Sequence, residues 1–306
     1  MTRAPRIACI GEVMIELAPA TPELMRLGVA GDTYNTAVYL ARRIGPGAVA
    51  YVTALGDDAQ SDHIIAALTA EGIAPDLVER VPDAVPGLYM ITLDPRGERS
   101  FSYWRSHSAA RGLFSRPGGL RPQQLDGMEM IYLSAISLAV ITPEARDRLF
   151  DWAQGYRRAG GRIAFDSNYR ARLWPDVETA RHEVARFWSV TDIALPSLDD
   201  EQALFGAATE AQVIRRLHEA GVRGGALKRG AAGPVALDGS VLTLAPQPEI
   251  PVIDSTAAGD SFNAGFLAAL LAGETTAAAM AAGHSLAARV IGHRGAIMPR
   301  QTDQPA

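Results

Sequence analysis

The segment Asp254–Ser255–Thr256–Ala257–Ala258–Gly259–Asp260–Ser261–Phe262, followed by an apolar stretch over 263–271, joins a run of small residues to a helix start that carries a carboxylate. Small residues before a helix let a phosphate come close to the backbone, where unpaired first-turn N–H groups and the positive end of the macrodipole stabilise its charge. Asp260 falls in that first turn. The same dipole favours its ionised form, so it is suited to accept a proton from an attacking hydroxyl. Ordinary helix capping is the competing reading, with Ser255 or Thr256 as the cap and Asp260 as a carboxylate complementing the dipole.

A second cluster, Gly31–Asp32–Thr33–Tyr34–Asn35–Thr36–Ala37, opens another amphipathic stretch. Gly31 permits a tight entry, and Asp32, Thr33 and Asn35 bring donors and acceptors to a helix N-terminus. They suit the gripping of sugar hydroxyls and equally suit capping. There is no GxxxxGK[ST] and no GxGxxG, which excludes a Walker-type loop and leaves a nicotinamide-dependent oxidoreductase without its glycine fingerprint. His63, His107, His182, His218, His284 and His293 have no metal-ligand spacing and read as structural or surface residues.

Short apolar runs over 6–10, 49–55, 130–134, 162–166, 192–195 and 225–228 predict buried strands. Helical patterns over 33–43, 61–71, 143–159 and 211–220 alternate with them, and the Ala-rich stretch 275–290 reads as a closely packed helix. This alternation predicts an α/β fold, a doubly wound and mostly parallel sheet with helices on both faces, and ligands beyond the carboxyl ends of the strands. Two segments, 12–30 and 86–105, break the rhythm. The second has strand-like arms around Asp94–Pro95–Arg96–Gly97, a hairpin that would project from the sheet as a small β lid.

The chain has 306 residues, 48% of them hydrophobic and 21% charged, an ordinary globular composition. That length suits one large α/β domain with an appendage as well as two equal domains. A net charge of −5 argues against nucleic acid or a membrane surface as partner. Cys9 is the only cysteine, in an apolar run, and reads as a small core filler. The first apolar run stops at Glu12 and Glu16, too soon for a signal-peptide core, so the expected location is cytoplasmic.

The stretches 31–42 (GDTYNTAVYLAR) and 254–262 (DSTAAGDSF) resemble the two signatures of PfkB carbohydrate kinases, with their ribokinase-like fold, in order and at the usual spacing. With GEVMIE at 11–16, Gly87–Leu88–Tyr89, YWR at 103–105, DSNYRARL at 166–173 and RGAIMPR at 294–300, the chain resembles the 2-keto-3-deoxygluconate kinase branch of that family.

The resemblance implies a single kinase domain over 1–306 with a lid from 12–30 and 86–105, phosphorylating 2-keto-3-deoxy-D-gluconate on O6 with ATP and Mg²⁺. Asp260 matches the family's general base, and Ala257, Ala258 and Gly259 its anion hole. Gly31, Asp32 and Asn35 match contacts to substrate hydroxyls; Tyr89, Tyr103 and Arg105 match lid contacts; and Arg170 matches the arginine that reaches the substrate. Ser197, Lys228, Gly230 and Gly259 correspond to residues along the nucleotide. Where the family often has Asn-x-x-Glu, this chain has Ser197 and Asp200, and Asp200 is the candidate to hold a magnesium-bound water. A monovalent cation around Asp254 and Thr256 belongs to the same inheritance, and an exposed lid edge suits a homo-oligomer. Arginine is the natural bidentate partner of a carboxylate, which fits a sugar acid on an acidic protein. The alternatives are a PfkB kinase for another sugar such as fructose, and a non-catalytic sugar-binding protein.

Overall fold

The computed structural model describes residues 6–21, 23–94, 99–238 and 251–300. The main sheet has eight strands: β1 (Ile7–Ile10), β4 (Val49–Leu55), β5 (Val78–Arg80), β8 (Met130–Ser134), β9 (Arg162–Asp166), β10 (Ile193–Ala194), β11 (Gly224–Leu227) and β12 (Val235–Ala236). Their order is β12-β11-β10-β9-β8-β1-β4-β5, and every pairing except β11 with β12 is parallel. A second, four-stranded sheet contains β2 (Met14–Pro19), β3 (Met25–Ala30), β6 (Gly87–Leu93) and β7 (Arg99–Trp104), in the order β3-β2-β6-β7.

Side chains of the main sheet alternate between two cores, as the period of two requires. Ala8, Ile10, Ile131, Leu133 and Phe165 face one, where α4 (Pro143–Arg158) contributes Leu149 and Trp152 and α5 (Val177–Trp188) contributes Val184 and Phe187. Ile7, Cys9, Met130 and Tyr132 face the other, with Val38 and Leu40 of α1 (Asp32–Ile44), Ile64 and Leu68 of α2 (Ala59–Ala70), Phe266 of α8 (Ala258–Leu271) and Met280 of α9 (Thr276–Ile291). Because helices cover both faces, the central strands are apolar throughout rather than alternating with polar residues. Burial pushes the Cys9 thiol well up, which keeps it an inert filler.

The expected strand over 49–55 and those over 130–134 and 162–166 form within the expected bounds, and the helix expected over 143–159 starts at its proline. The segment 12–30, which carries no helical period, folds into two antiparallel strands. The hairpin over 86–105 pairs antiparallel through β6 and β7; residues 95–98 of its turn lie outside the described residues. The helix expected over 211–220 forms as α7 (Glu210–Glu219), and the structure adds α3 (Ala135–Val140), α5, α6 (Leu198–Phe205), β5 and β12.

One contact decides where the catalytic candidate sits. Helices α8 and α9 pack so closely that a Cβ on Gly265 would lie 2.7 Å from the Ala282 carbonyl, and one on Gly283 would lie 2.7 Å from that of Phe262. Two backbones in such contact leave α8 little room to slide or rotate. No helix among the described residues is long and apolar enough to cross a membrane.

Candidate active site

A cleft of about 900 Å³ opens beyond the carboxyl ends of the main strands, between the two sheets. Gly31, Asp32, Asn35, Tyr89, Tyr103, Arg105, Arg170, Ser197, Asp200, Lys228, Gly230, Ala257, Ala258, Gly259 and Asp260 all line it. Sites on seven separated segments therefore converge on one cavity.

At its floor, α8 begins at Ala257, a non-glycine residue held in the left-handed region at φ 62°, and no side chain caps the helix. The capping reading of Ser255 and Thr256 thus fails, and the first turn of α8 meets the cleft without a side-chain partner at its N-cap. Asp254 instead braces the preceding loop: its carboxylate accepts the Thr256 N–H at 3.0 Å and the Gly295 N–H at 2.7 Å.

Asp260 keeps one edge toward the cleft. Asn35 of α1 donates to its carboxylate at 2.8 Å, and Thr36 donates to its backbone carbonyl at 3.2 Å. The start of α1 is thereby tied to the start of α8. Asp32, also in the first turn of α1, accepts from Ser134 at the end of β8 and from Asn168 at 2.9 Å, beyond the end of β9. Enclosure by protein, then the neighbouring Asp32 carboxylate, push the Asp260 carboxyl up to about 8; Asn35 and Lys228 act in the opposite direction. Desolvation also raises Asp32.

Behind them lies a buried polar network that local sequence reading had not assembled. Asp166, at the end of β9, accepts from Lys228 Nζ at 2.9 Å and Asn263 Nδ2 at 2.6 Å, and Lys228 also donates to the Asn263 side-chain oxygen Oδ1 at 3.1 Å. A Cβ built on Gly259 would stand 3.5 Å from Lys228 Nζ, so the ammonium lies over the first turn of α8. That is the position for a cation facing a phosphate held at the helix start.

The departure at Ser197 and Asp200 has a definite geometry. Ser197 donates to Asp200 at 2.7 Å and caps α6. Arg170 bridges to the other Asp200 oxygen at 3.1 Å. The next residue, Glu201, turns inward to Arg216 at 2.6 Å, and its burial raises its carboxyl to about 7. Asp200 is thus the carboxylate of the pair that lines the cleft, and its own burial raises it. Among the described residues no group of three or more His, Cys, Asp or Glu side chains is arranged to hold a metal ion. A divalent ion here would rest on nucleotide phosphates and water, with Asp200 as an outer contact. Magnesium suits that arrangement, because it retains much of its hydration.

At the other end the small sheet contributes aromatic walls. Tyr89 and Tyr103 stack with ring centroids 5.6 Å apart, and Tyr89 donates to Glu16. The Arg172 guanidinium lies 3.8 Å above the Tyr103 ring. Arg105 pairs with Glu12, a carboxylate 1% exposed that also accepts from Ser108 and is raised by its burial. His284, read from sequence as structural or surface, lines the cleft with Val252, Ala287, Ala288 and Ile291. Glu12, Asp166 and Arg172 lay inside quoted motifs, but nothing in their spacing named their partners.

A sequence profile described as pfkB family carbohydrate kinase matches residues 4–303. The chain belongs to the PfkB family of carbohydrate kinases. Among curated PfkB relatives, it is 44% identical over 300 residues to the 2-dehydro-3-deoxygluconokinase of Dickeya dadantii (strain 3937), covering 96% of each chain. It is 43% identical over 303 residues to the enzyme of that name from Escherichia coli (strain K12), covering 97% of this chain and 98% of the other. The aminoimidazole riboside kinase of Salmonella enterica, solved with aminoimidazole riboside and an ATP analogue, superposes with a TM-score of 0.80 over 95% of this chain and 94% of its own. At 23% identity, that likeness speaks for the ribokinase-like fold alone.

Proposed function

We propose that this PfkB kinase phosphorylates 2-keto-3-deoxy-D-gluconate on its terminal hydroxyl with ATP, and that Asp260 is the general base. The observation that carries the mechanism is the position of Asp260: a carboxylate at the uncapped start of α8, lining the cleft and oriented by Asn35 at 2.8 Å. The substrate assignment rests on 43–44% identity to the two named kinases over nearly the full chain.

Asp260 takes the O6 proton as O6 forms its bond to the γ-phosphorus; the bond from that phosphorus to the β–γ bridging oxygen breaks, and its electrons leave on ADP. The backbone N–H groups of Ala257, Ala258 and Gly259 with Lys228 face the charge that builds on the transferring group. Mg²⁺, when bound with the nucleotide near Asp200, supplies further charge neutralisation. Ser197 and Gly230 flank the nucleotide path, and the apolar wall of Val252, Ala287 and Ile291 suits the flat face of adenine. Gly31, Asp32 and Asn35 grip sugar hydroxyls, while Tyr89, Tyr103, Arg105 and Arg170 enclose the acid end.

The small sheet acts as a lid on one kinase domain, excluding water from the transferring group. Its outer face leaves Met25, Leu27 and Trp104 exposed, which favours a second copy of this chain as the covering partner. A monovalent cation near Asp254 and Thr256 would brace the same loop. ATP as donor and a small sugar acid fit a cytoplasmic enzyme.

The test is ADP release, by a coupled assay, over ketodeoxygluconate, fructose, ribose and adenosine, with Asp260→Asn alongside. Ketodeoxygluconate should be the preferred substrate and the variant nearly inert. Preference for fructose would replace the substrate, binding without ADP release would make this a sugar-binding protein, and near-wild-type turnover in the variant would remove Asp260 as base.

A further inference from the structure

The cations lining the cleft differ in what already balances them. Arg105 is held by buried Glu12, and Arg170 bridges to Asp200 at 3.1 Å and donates to its neighbour's carbonyl, that of Tyr169, at 2.7 Å. Lys228 is paired with Asp166 at 2.9 Å, and Arg229 with Glu210 at 2.8 Å. Arg172 alone among them has no carboxylate partner among the described residues. It lies flat on Tyr103, 3.8 Å from the ring centre, and that ring is itself stacked on Tyr89.

This difference bears on how an anionic sugar is chosen. A guanidinium already paired with a carboxylate gives an incoming anion hydrogen bonds but little net attraction, because the resident carboxylate repels what the guanidinium attracts. An aromatic face holds a guanidinium through its quadrupole, adds no negative charge, and leaves the N–H donors around the guanidinium rim for a planar, bidentate partner. Arg172 also stands on the body of the molecule, in the short turn Ala171–Leu173 that follows β9, whereas Tyr103 belongs to the small sheet. An anion on Arg172 therefore sits where the two sheets meet.

We propose that Arg172, backed by Tyr103, is the specificity-determining residue that receives the substrate's carboxylate and separates sugar acids from neutral sugars of the same shape. This rests on the sugar-acid reading above and assigns within it the charge that no carboxylate of the protein cancels.

The test compares ketodeoxygluconate with its C1 amide, which has the same outline and terminal hydroxyl without the charge. Wild type should favour the acid. Arg172→Met, which keeps an apolar body against Tyr103, should raise KM for the acid about fivefold, as for the loss of one partner from a charge pair at an exposed residue. It should leave KM for ATP and kcat/KM for the amide within about threefold, so the preference for the acid collapses; Arg172→Lys should restore part of it. A merely structural role would weaken acid and amide together, and that result, or an unchanged preference in Arg172→Met with collapse in Arg170→Met, overturns the assignment. Wild-type turnover of a neutral sugar with none of the acid would instead overturn the functional reading, and this inference with it.

Discussion

The two ends of the cleft are built differently. The end proposed for the phosphates is made of backbone and of a buried network on the main body: the start of α8 locked against α9, and Lys228, Asp166 and Asn263 in mutual contact. The end proposed for the sugar is made of long side chains on the small sheet and on the turn after β9, held by Glu12, Asp200 and aromatic stacking. Reaction chemistry common to a family can rest on rigid backbone geometry, because every member transfers the same group. Choice of sugar can rest on side chains at the edge that the small sheet forms, because replacing one there leaves the phosphoryl machinery alone.

That contrast is tested most severely by Asp260→Asn. Loss of the base should lower kcat about 10³-fold, within the range for a positioned acid or base. Thermal stability should not fall, because the wild-type carboxyl is held well above its ordinary value. The sign follows from proton linkage: between about 4 and about 8 the native state holds a proton that the unfolded chain has released, so this group's contribution to stability declines as pH rises through that window. The melting temperature of the variant relative to wild type should therefore improve from pH 5 to pH 9. For wild type, kcat/KM should climb about tenfold per pH unit below an apparent pKa near 8, since only the ionised base serves. A pH-rate profile flat down to pH 5 would contradict the assignment.

Lys228→Met strikes the phosphate end structurally. It leaves Asp166, with a side chain 3% exposed, without its cation, and should lower unfolding free energy by about 3 kcal/mol in urea titrations while raising KM for ATP. Glu12→Gln strikes the sugar end. Arg105 loses its counter-charge and the repulsion that Glu12 exerts on an incoming anion, so KM for the sugar acid should fall by about tenfold, roughly 1.4 kcal/mol, with KM for ATP within twofold. A matching change in KM for ATP would mean that the two ends are not separable. The smallest effect belongs to Ala257→Gly, which relieves a left-handed residue and should stabilise by up to about 1 kcal/mol if the loop's added freedom in the unfolded chain does not offset it. Calorimetry reads it directly.

Much of this was legible in the chain because it is local. Apolar runs and helical periods mark the central strands and α1, α4, α8 and α9, and the small-residue stretch 254–260 marks a helix start that carries a carboxylate, since each depends on neighbours a few residues away. The motif resemblance carried the site residues further than spacing could, and all of those matched to catalysis, sugar and nucleotide line one cleft, whereas Asp254 lies outside its lining and Thr33 is buried against the Tyr51 hydroxyl. What the chain alone left open was which charges meet. Lys228 lies 62 residues from Asp166, and Asn263 lies 97 from it. Nor does the run Asp199–Asp200–Glu201 reveal which carboxylate turns away from the cleft; the turn of α6 sends Glu201 to Arg216 and leaves Asp199 and Asp200 on the lining, Asp200 beside Arg170.

The sequence by itself determined the fold class and marked the carboxylate at the mouth of α8, because hydrophobic period and turn chemistry act over one or two turns of chain; the family came from its motifs, by resemblance. Only the tertiary structure decided that Arg105, Arg170, Lys228 and Arg229 are already balanced while Arg172 rests on an aromatic ring. Charge pairing depends on distances through space, and those exist only once the strands have been ordered and the small sheet set over their ends.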